Sequence, residues 1–284
     1  MLLQQLVNGL TVGSLYALMA LGLTMVYGVL RVLHIAHAAV FTLGAYGGLW
    51  AFRATGSFWA ALAAAMASAV LAGLAMERWV YWPLLGKPPI ATLIASIGVF
   101  IGLEEVFRIV AGPQPYSLDV PLLLPDVRVG PVLVTAPQLL VIAVTIALLG
   151  ALWLFITRTS RGLALRATSQ DRDMAAACGM NVRRVVMLNF ALGSALAGAA
   201  GVLGGIYYNS VSPTMGGVTG YKGLAIIVLG GMGSIPGTVL GGLLVGVVET
   251  ILISLVDFAL PRDAWAFLAM IAVFLFRPQG LLGR

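Results

Sequence analysis

Charged side chains are scarce in this sequence, at 9% of 284 residues, against about 25% in an ordinary soluble domain. That shortage excludes a solvated globular surface. With 61% apolar residues and a mean hydropathy of +1.03, the chain reads as an integral membrane protein. Cysteine is scarcer still: Cys178 stands alone, which excludes an intramolecular disulfide and a thiolate metal cluster. His34 and His37 are the sole histidines, and two imidazoles without a third ligand do not close a metal site. Neither a Gly-x-Ser-x-Gly elbow nor a His-Glu-x-x-His pair occurs, so no catalytic residue is assigned and an intramembrane hydrolase finds no support. A phosphate-cradling loop is absent too. Its nearest fragment, "LLGKPP" at 84–89, lacks the upstream glycine and the hydroxyl residue that would hold phosphates and Mg²⁺.

What is present is a series of apolar runs, at 6–30, 35–52, 58–76, 90–110, 133–156, 185–208, 223–255 and 264–276. Most have the roughly 17–25 residues that carry an α-helix across a bilayer. They are continuously apolar, whereas a β-barrel alternates over about 10 residues. The expectation is therefore an all-α polytopic protein, one transmembrane domain over 1–284. The first run lacks the basic lead of a signal peptide and reads as a retained span. The net charge of +6 resides mostly at span ends, where it anchors topology and calls for no nucleic acid.

The run 223–255 holds 33 residues, about 50 Å as one helix, against a hydrocarbon core of about 30 Å. A break is expected at "GGMGSIPG", 230–237, where Gly230, Gly231, Gly233, Pro236 and Gly237 make a candidate hinge; Pro236 cannot donate a backbone bond. If both halves cross, there are nine spans, the N-terminus is outside, and 11 of 16 Lys and Arg are cytoplasmic. One crossing gives eight spans and a 10 to 6 split; the positive-inside rule favours nine. Either count makes 157–184, with six arginines, cytoplasmic and leaves the proline-rich stretch 112–131 outside.

That cytoplasmic segment contains "RATSQDRDMAAACGMNVRRV", 166–185. Thr168 and Asp171 have capping-box spacing, Asp171 and Asp173 suit a helix N-terminus, and Gly179 is a natural stop. A helix over 169–178 follows, too short to stand alone in water, with Met174, Ala175, Ala177 and Cys178 as its apolar face. A solvated topological loop is the competing reading. Lacking a nucleotide site, the chain would have to receive any ATP-derived work through such a surface.

Four blocks together resemble one family: 8–38, the segment containing "AAACGM" at 175–180, 221–246, and "RPQGLLG" at 277–283. They are similar to permease subunits of ATP-binding-cassette importers for branched-chain amino acids, the LivH type. The resemblance implies one half of a translocation pathway in a bacterial inner membrane. It also implies a second related permease, two cytoplasmic ATPases that use the ATP and Mg, and an extracytoplasmic binding protein as partners, with no cofactor in this chain. Ala175, Ala176 and Gly179 match the ATPase-coupling motif, flanked by Arg166, Asp171, Asp173 and Arg183. The sequence departs from the family at His34, Ile35, Ala36, His37 and Ala38, which leaves position 34 without a carried-over role. Related permeases for urea and short-chain amides keep that substrate class as an alternative.

Elsewhere, Gly193, Ala197, Gly201 and Gly205 fall on one helical face, as do Gly44 with Gly48, Gly237 with Gly241, and Gly242 with Gly246, a spacing that lets helices approach closely. Glu104 and Arg108 are spaced for an i,i+4 ion pair. Glu249 has no sequence-local partner and is the leading intramembrane charge. With Asn8 and Asn189 it is a candidate for the translocation path; Tyr207 and Tyr208 read as polar-path residues or interfacial anchors. An ion-coupled carrier would show a carboxylate relay and internal repeats, and the sequence has neither.

Overall fold

A computed structural model of the chain describes residues 2–121, 125–130, 132–255, 264, 267, 268, 271, 275 and 280–282. Its helices are α1 (Leu2–Leu30), α2 (His37–Thr55), α3 (Phe58–Met76), α4 (Trp82–Leu84), α5 (Pro89–Ala111), α6 (Ala136–Arg158), α7 (Ser160–Gln170), α8 (Arg172–Ala177), α9 (Val182–Tyr207), α10 (Met215–Gly230) and α11 (Ile235–Leu255). A π-helical turn, Glu77–Tyr81, joins α3 to α4 in one continuous rod. Six helices are long and apolar enough to cross a membrane: α1, the α3–α4 rod, α5, α6, α9 and α11. The protein is thus an all-α multi-pass membrane protein. The apolar run 264–276 lies largely outside the described residues, as do Arg262, Arg277 and Arg284.

The hydrophobic span of α1 is 94% buried, whereas that of α5 is 22% buried, so α1 is the central strut and α5 forms the periphery. Around α1 stand α9, α10 and α11, while α2 and α3 close on the far side of α9. Close approach requires glycine at two seams. A Cβ on Gly246 would lie 2.3 Å from the Gly13 nitrogen, and one on Gly44 would lie 2.3 Å from the Gly198 Cα. The small-residue faces read from the sequence do form tight contacts.

Neither α2 nor α10 begins at a bundle end. A Cβ on Gly22 would meet the His37 ring at 2.5 Å, so after Leu30 the chain turns back inside before α2 starts. Likewise, a Cβ on Gly216 would sit 2.1 Å from the Ala38 carbonyl oxygen. Two helix N-termini therefore meet within the bundle, a construction that membrane proteins tolerate where other protein covers the irregular backbone.

An unexpected hairpin begins in the proline-rich stretch and ends beyond it, β1 (Val127–Val129) with antiparallel β2 (Val132–Val134). The apolar run starting at Leu133 thus begins as strand. Helix α6 waits for Ala136 because Thr135 and Gln138 form a capping box there. The Gln4 side chain donates to the Leu133 carbonyl and accepts from its N–H, both at 2.9 Å, tying the hairpin to the start of α1.

Candidate functional site

At the arginine-rich end, the expected single helix over 169–178 is two. Asp171 adopts an extended φ of −150° and its carboxylate accepts from the backbone N–H groups of Asp173 and Met174. It therefore ends α7 and starts α8, so Asp171 is the cap itself. Thr168 is not a cap; it lies buried inside α7. The stop at Gly179 is present: its φ is +83°, its N–H reaches the Ala176 carbonyl, and that of Met180 reaches Ala175, a Schellman closure. Ala175 is buried, while Asp171, Asp173, Ala176, Gly179, Arg166 and Arg183 are exposed. The expected apolar face does not fold back on the body: Met174 is 62% exposed, and Ala177 and Cys178 are exposed too. A groove of about 620 Å³ separates α8 from the end of α1 and from Leu85 and Gly86. Arg183 stacks over the Trp82 ring at 5.0 Å, bracing α9 against the α3–α4 rod.

The glycine-rich break falls at 231–234, between α10 and α11. Gly231 and Gly233 take φ of +100° and +88°, conformations other residues resist, while Pro236 lies in the first turn of α11, where no intrahelical donor is needed. A Cβ on Gly230 would be 2.4 Å from the Gly237 oxygen, so the two helices cross in contact. Leu281 and Leu282 donate N–H to the Leu229 and Gly230 carbonyls, at 2.8 and 3.2 Å, which satisfies the end of α10. A small cavity of about 70 Å³ joins this break to the arginine-rich segment, lined by Arg166, Ser169, Asn189, Gly233 and Ile235 among others.

The three path candidates do not converge. Asn8 accepts from the Gln138 side chain at 2.8 Å and ties α1 to α6 near the hairpin. Asn189 donates to the Met25 carbonyl at 2.7 Å and pins α9 to α1. Glu249 alone lines a sizeable cavity, of about 300 Å³, shared with Tyr208 and Ser210. It is not solitary. Lys222 Nζ donates to its two oxygens at 2.9 and 3.0 Å and to the Tyr16 hydroxyl at 2.8 Å, and that hydroxyl donates to Glu249 Oε2 at 3.1 Å. Lys222 is thus buried within the bundle. Lys222 and Tyr16 are the residues that sequence reading missed. The available signal was a lone lysine and a lone glutamate on neighbouring apolar helices, since intramembrane charges pair with one another.

A second buried network gathers around the turn before α2. His34 Nδ1 and the Tyr81 hydroxyl share a hydrogen bond. Tyr81 donates to Ser96 at 2.8 Å, and Ser96 accepts from the Ala36 N–H at 2.9 Å. The π-helical turn ends at Tyr81, so it belongs to the machinery that holds α2 inside the bundle. Among the described residues no three His, Cys, Asp or Glu side chains are grouped to hold a metal ion.

Residues 5–276 match the family model described as branched-chain amino acid transport system / permease component. The chain is 38% identical over 297 residues to the high-affinity branched-chain amino acid transport system permease protein BraD of Pseudomonas aeruginosa, covering 99% of this chain and 96% of that protein. It is 35% identical over 303 residues to the protein of the same description, LivH, of Escherichia coli K12, with the same coverage. Among solved structures it resembles PsaBC from Streptococcus pneumoniae in complex with Fab, with a TM-score of 0.50, 14% identity, and coverage of 95% of this chain and 89% of that one. That likeness concerns the fold alone.

Proposed function

The chain belongs to the family of branched-chain amino acid transport system permease components, and from this premise we propose that it is the membrane subunit of an ATP-binding-cassette importer for branched-chain amino acids. The family is one of transport components and not of enzymes. The observation that carries the reading is end-to-end likeness: 99% of the chain aligns with two proteins named for that transport.

The finer picture is our own reading. With α2, α10 and the run 264–276 added to the six long helices, the chain crosses a bacterial inner membrane nine times, or eight if α10 turns back. One copy pairs with a second related permease, and the two receive substrate from an extracytoplasmic binding protein near the hairpin. Two ATPases, which hold the ATP and Mg, dock on the segment 157–184. There, α8 offers an outward apolar face at Met174, Ala177 and Cys178, with Arg166, Asp171, Asp173, Ala175, Ala176, Gly179 and Arg183 in or around it. A push on α8 reaches α7 and, through the cavity shared by Arg166, Asn189 and Gly233, the hinge at Gly230, Gly231, Gly233, Pro236 and Gly237. Asn8 braces α1 beside the pathway, and Glu249 faces it.

The test is leucine uptake by the complete complex in proteoliposomes. Uptake should require ATP and survive collapse of ion gradients; abolition by an ionophore at constant ATP would make the protein an ion-coupled carrier. Asp171→Arg should leave insertion intact while uncoupling hydrolysis from uptake. Normal coupling in that variant would return 157–184 to a plain topological loop.

A further inference from the structure

A cavity of about 300 Å³ is lined by α1, α2, α9, α10 and α11 and by Tyr208, Ser210 and Ser212, at the lower end of the roughly 300–1,000 Å³ usual for small-molecule sites. Its polar corner is Lys222 and Glu249, whose side chains are 4% and 5% exposed, with the Tyr16 hydroxyl touching both. Its walls include Leu15, Phe41, Met215 and Val218, an apolar surface suited to an aliphatic side chain. Removing two charges from water is costly, and apolar side chains of similar volume would hold the three helices as well or better. Packing therefore gives no reason for this pair, whereas ionisable groups at membrane depth mark a substrate path.

We propose that Tyr16, Lys222 and Glu249 form a binding site for the head group of a free α-amino acid. The Glu249 carboxylate receives the substrate ammonium, the Lys222 ammonium receives the substrate carboxylate, and the apolar wall receives the side chain. This deepens the importer reading and rests on it. The chemistry selects a zwitterion. A dipolar ion offers an ammonium to Glu249 and a carboxylate to Lys222, so both buried charges keep an opposite charge in contact before and after binding. A lone cation or anion would leave one member facing a like charge, and an uncharged amide would replace neither contact at equal strength. When substrate leaves, Lys222 and Glu249 close on each other at 2.9 Å, and the Tyr16 hydroxyl keeps contact with whichever charge moves.

The decisive variant is the double replacement Lys222→Met with Glu249→Leu in the complete complex, with binding protein and ATPases present. The chain should assemble and melt at or above the wild-type temperature, while ATP-dependent leucine uptake falls about tenfold or more, the scale of one lost charge-assisted hydrogen bond. Uptake by the double variant at the wild-type rate would make the pair a structural clip and overturn the proposal. Should that variant fail to assemble, Tyr16→Phe decides, since it removes a single hydroxyl. Reduced uptake at unchanged melting temperature supports the site; unchanged uptake overturns it. A wild-type complex that moves no leucine sinks the importer reading itself, an outcome distinct from active wild type beside active variants.

Discussion

Two ion pairs stand on apolar helices of this protein, and they differ in almost every physical respect. Arg108 reaches Glu104 at 2.8 Å and Glu105 at 2.7 Å, all on α5, with the arginine 41% exposed. Lys222 reaches Glu249 at 2.9 Å across two helices, with both side chains nearly enclosed. The first cluster lies within one turn of one helix, so forming it orders little backbone and its charges stay partly exposed. The second forms only when α10 and α11 have packed together, and then both charges are buried at the edge of a cavity. The contrast teaches that a pair legible from its spacing is the one with little to do. The pair whose members are 27 residues apart is the one that lines a cavity between helices.

Glu249→Leu alone removes the carboxylate that Lys222 contacts at 2.9 Å, and losing one partner of a buried pair costs about 3–5 kcal/mol. Thermal unfolding in detergent should show this as a large fall in melting temperature, with the double replacement at or above wild type. If the single variant melts as wild type, the lysine is hydrated after all and the two pairs are physically alike.

A smaller effect sharpens the comparison by asking what positions the buried pair. Gly246 precedes Glu249 by one turn on α11, and a Cβ there would sit 2.3 Å from the Gly13 nitrogen of α1. Gly246→Leu should therefore push α11 off α1 and withdraw the carboxylate from Tyr16. Overpacking of this kind costs about 1–3 kcal/mol. Cysteine cross-linking between α1 and α11 in a Cys178-free background would report the separation. An unchanged cross-linking rate would mean that the ion pair, and not the glycine seam, sets the register.

The same contrast explains what the sequence made legible. The break after Gly230 was readable because a run of 33 residues outgrows a bilayer, and the Gly179 stop because its conformation is a local matter. The Glu104–Arg108 pair was readable from i,i+4 spacing. The split at Asp171 was misread, since one aspartate can serve the first turn of a helix or cap it, and spacing alone does not choose. The Lys222 partner of Glu249, the inward starts of α2 and α10, and the Tyr81–Ser96–His34 network depend on how distant segments pack. The end-capping of α10 by Leu281 and Leu282 does too. Periodicity within one helix carries no record of such contacts.

Arg108→Leu removes the fork that bridges Glu104 and Glu105, which are 19% and 53% exposed, so neither carboxylate is left as enclosed as Lys222 or Glu249. Exposed pairs of this kind contribute at most about 1 kcal/mol, and the i,i+3 and i,i+4 contacts within α5 hold no second helix in place. Melting temperature should shift little, and leucine uptake should stay at the wild-type rate. Loss of assembly in Arg108→Leu would mean that this face of α5 meets another subunit in the membrane, where its two carboxylates would be enclosed. The two ion pairs would then differ only in which chain supplies the surrounding protein.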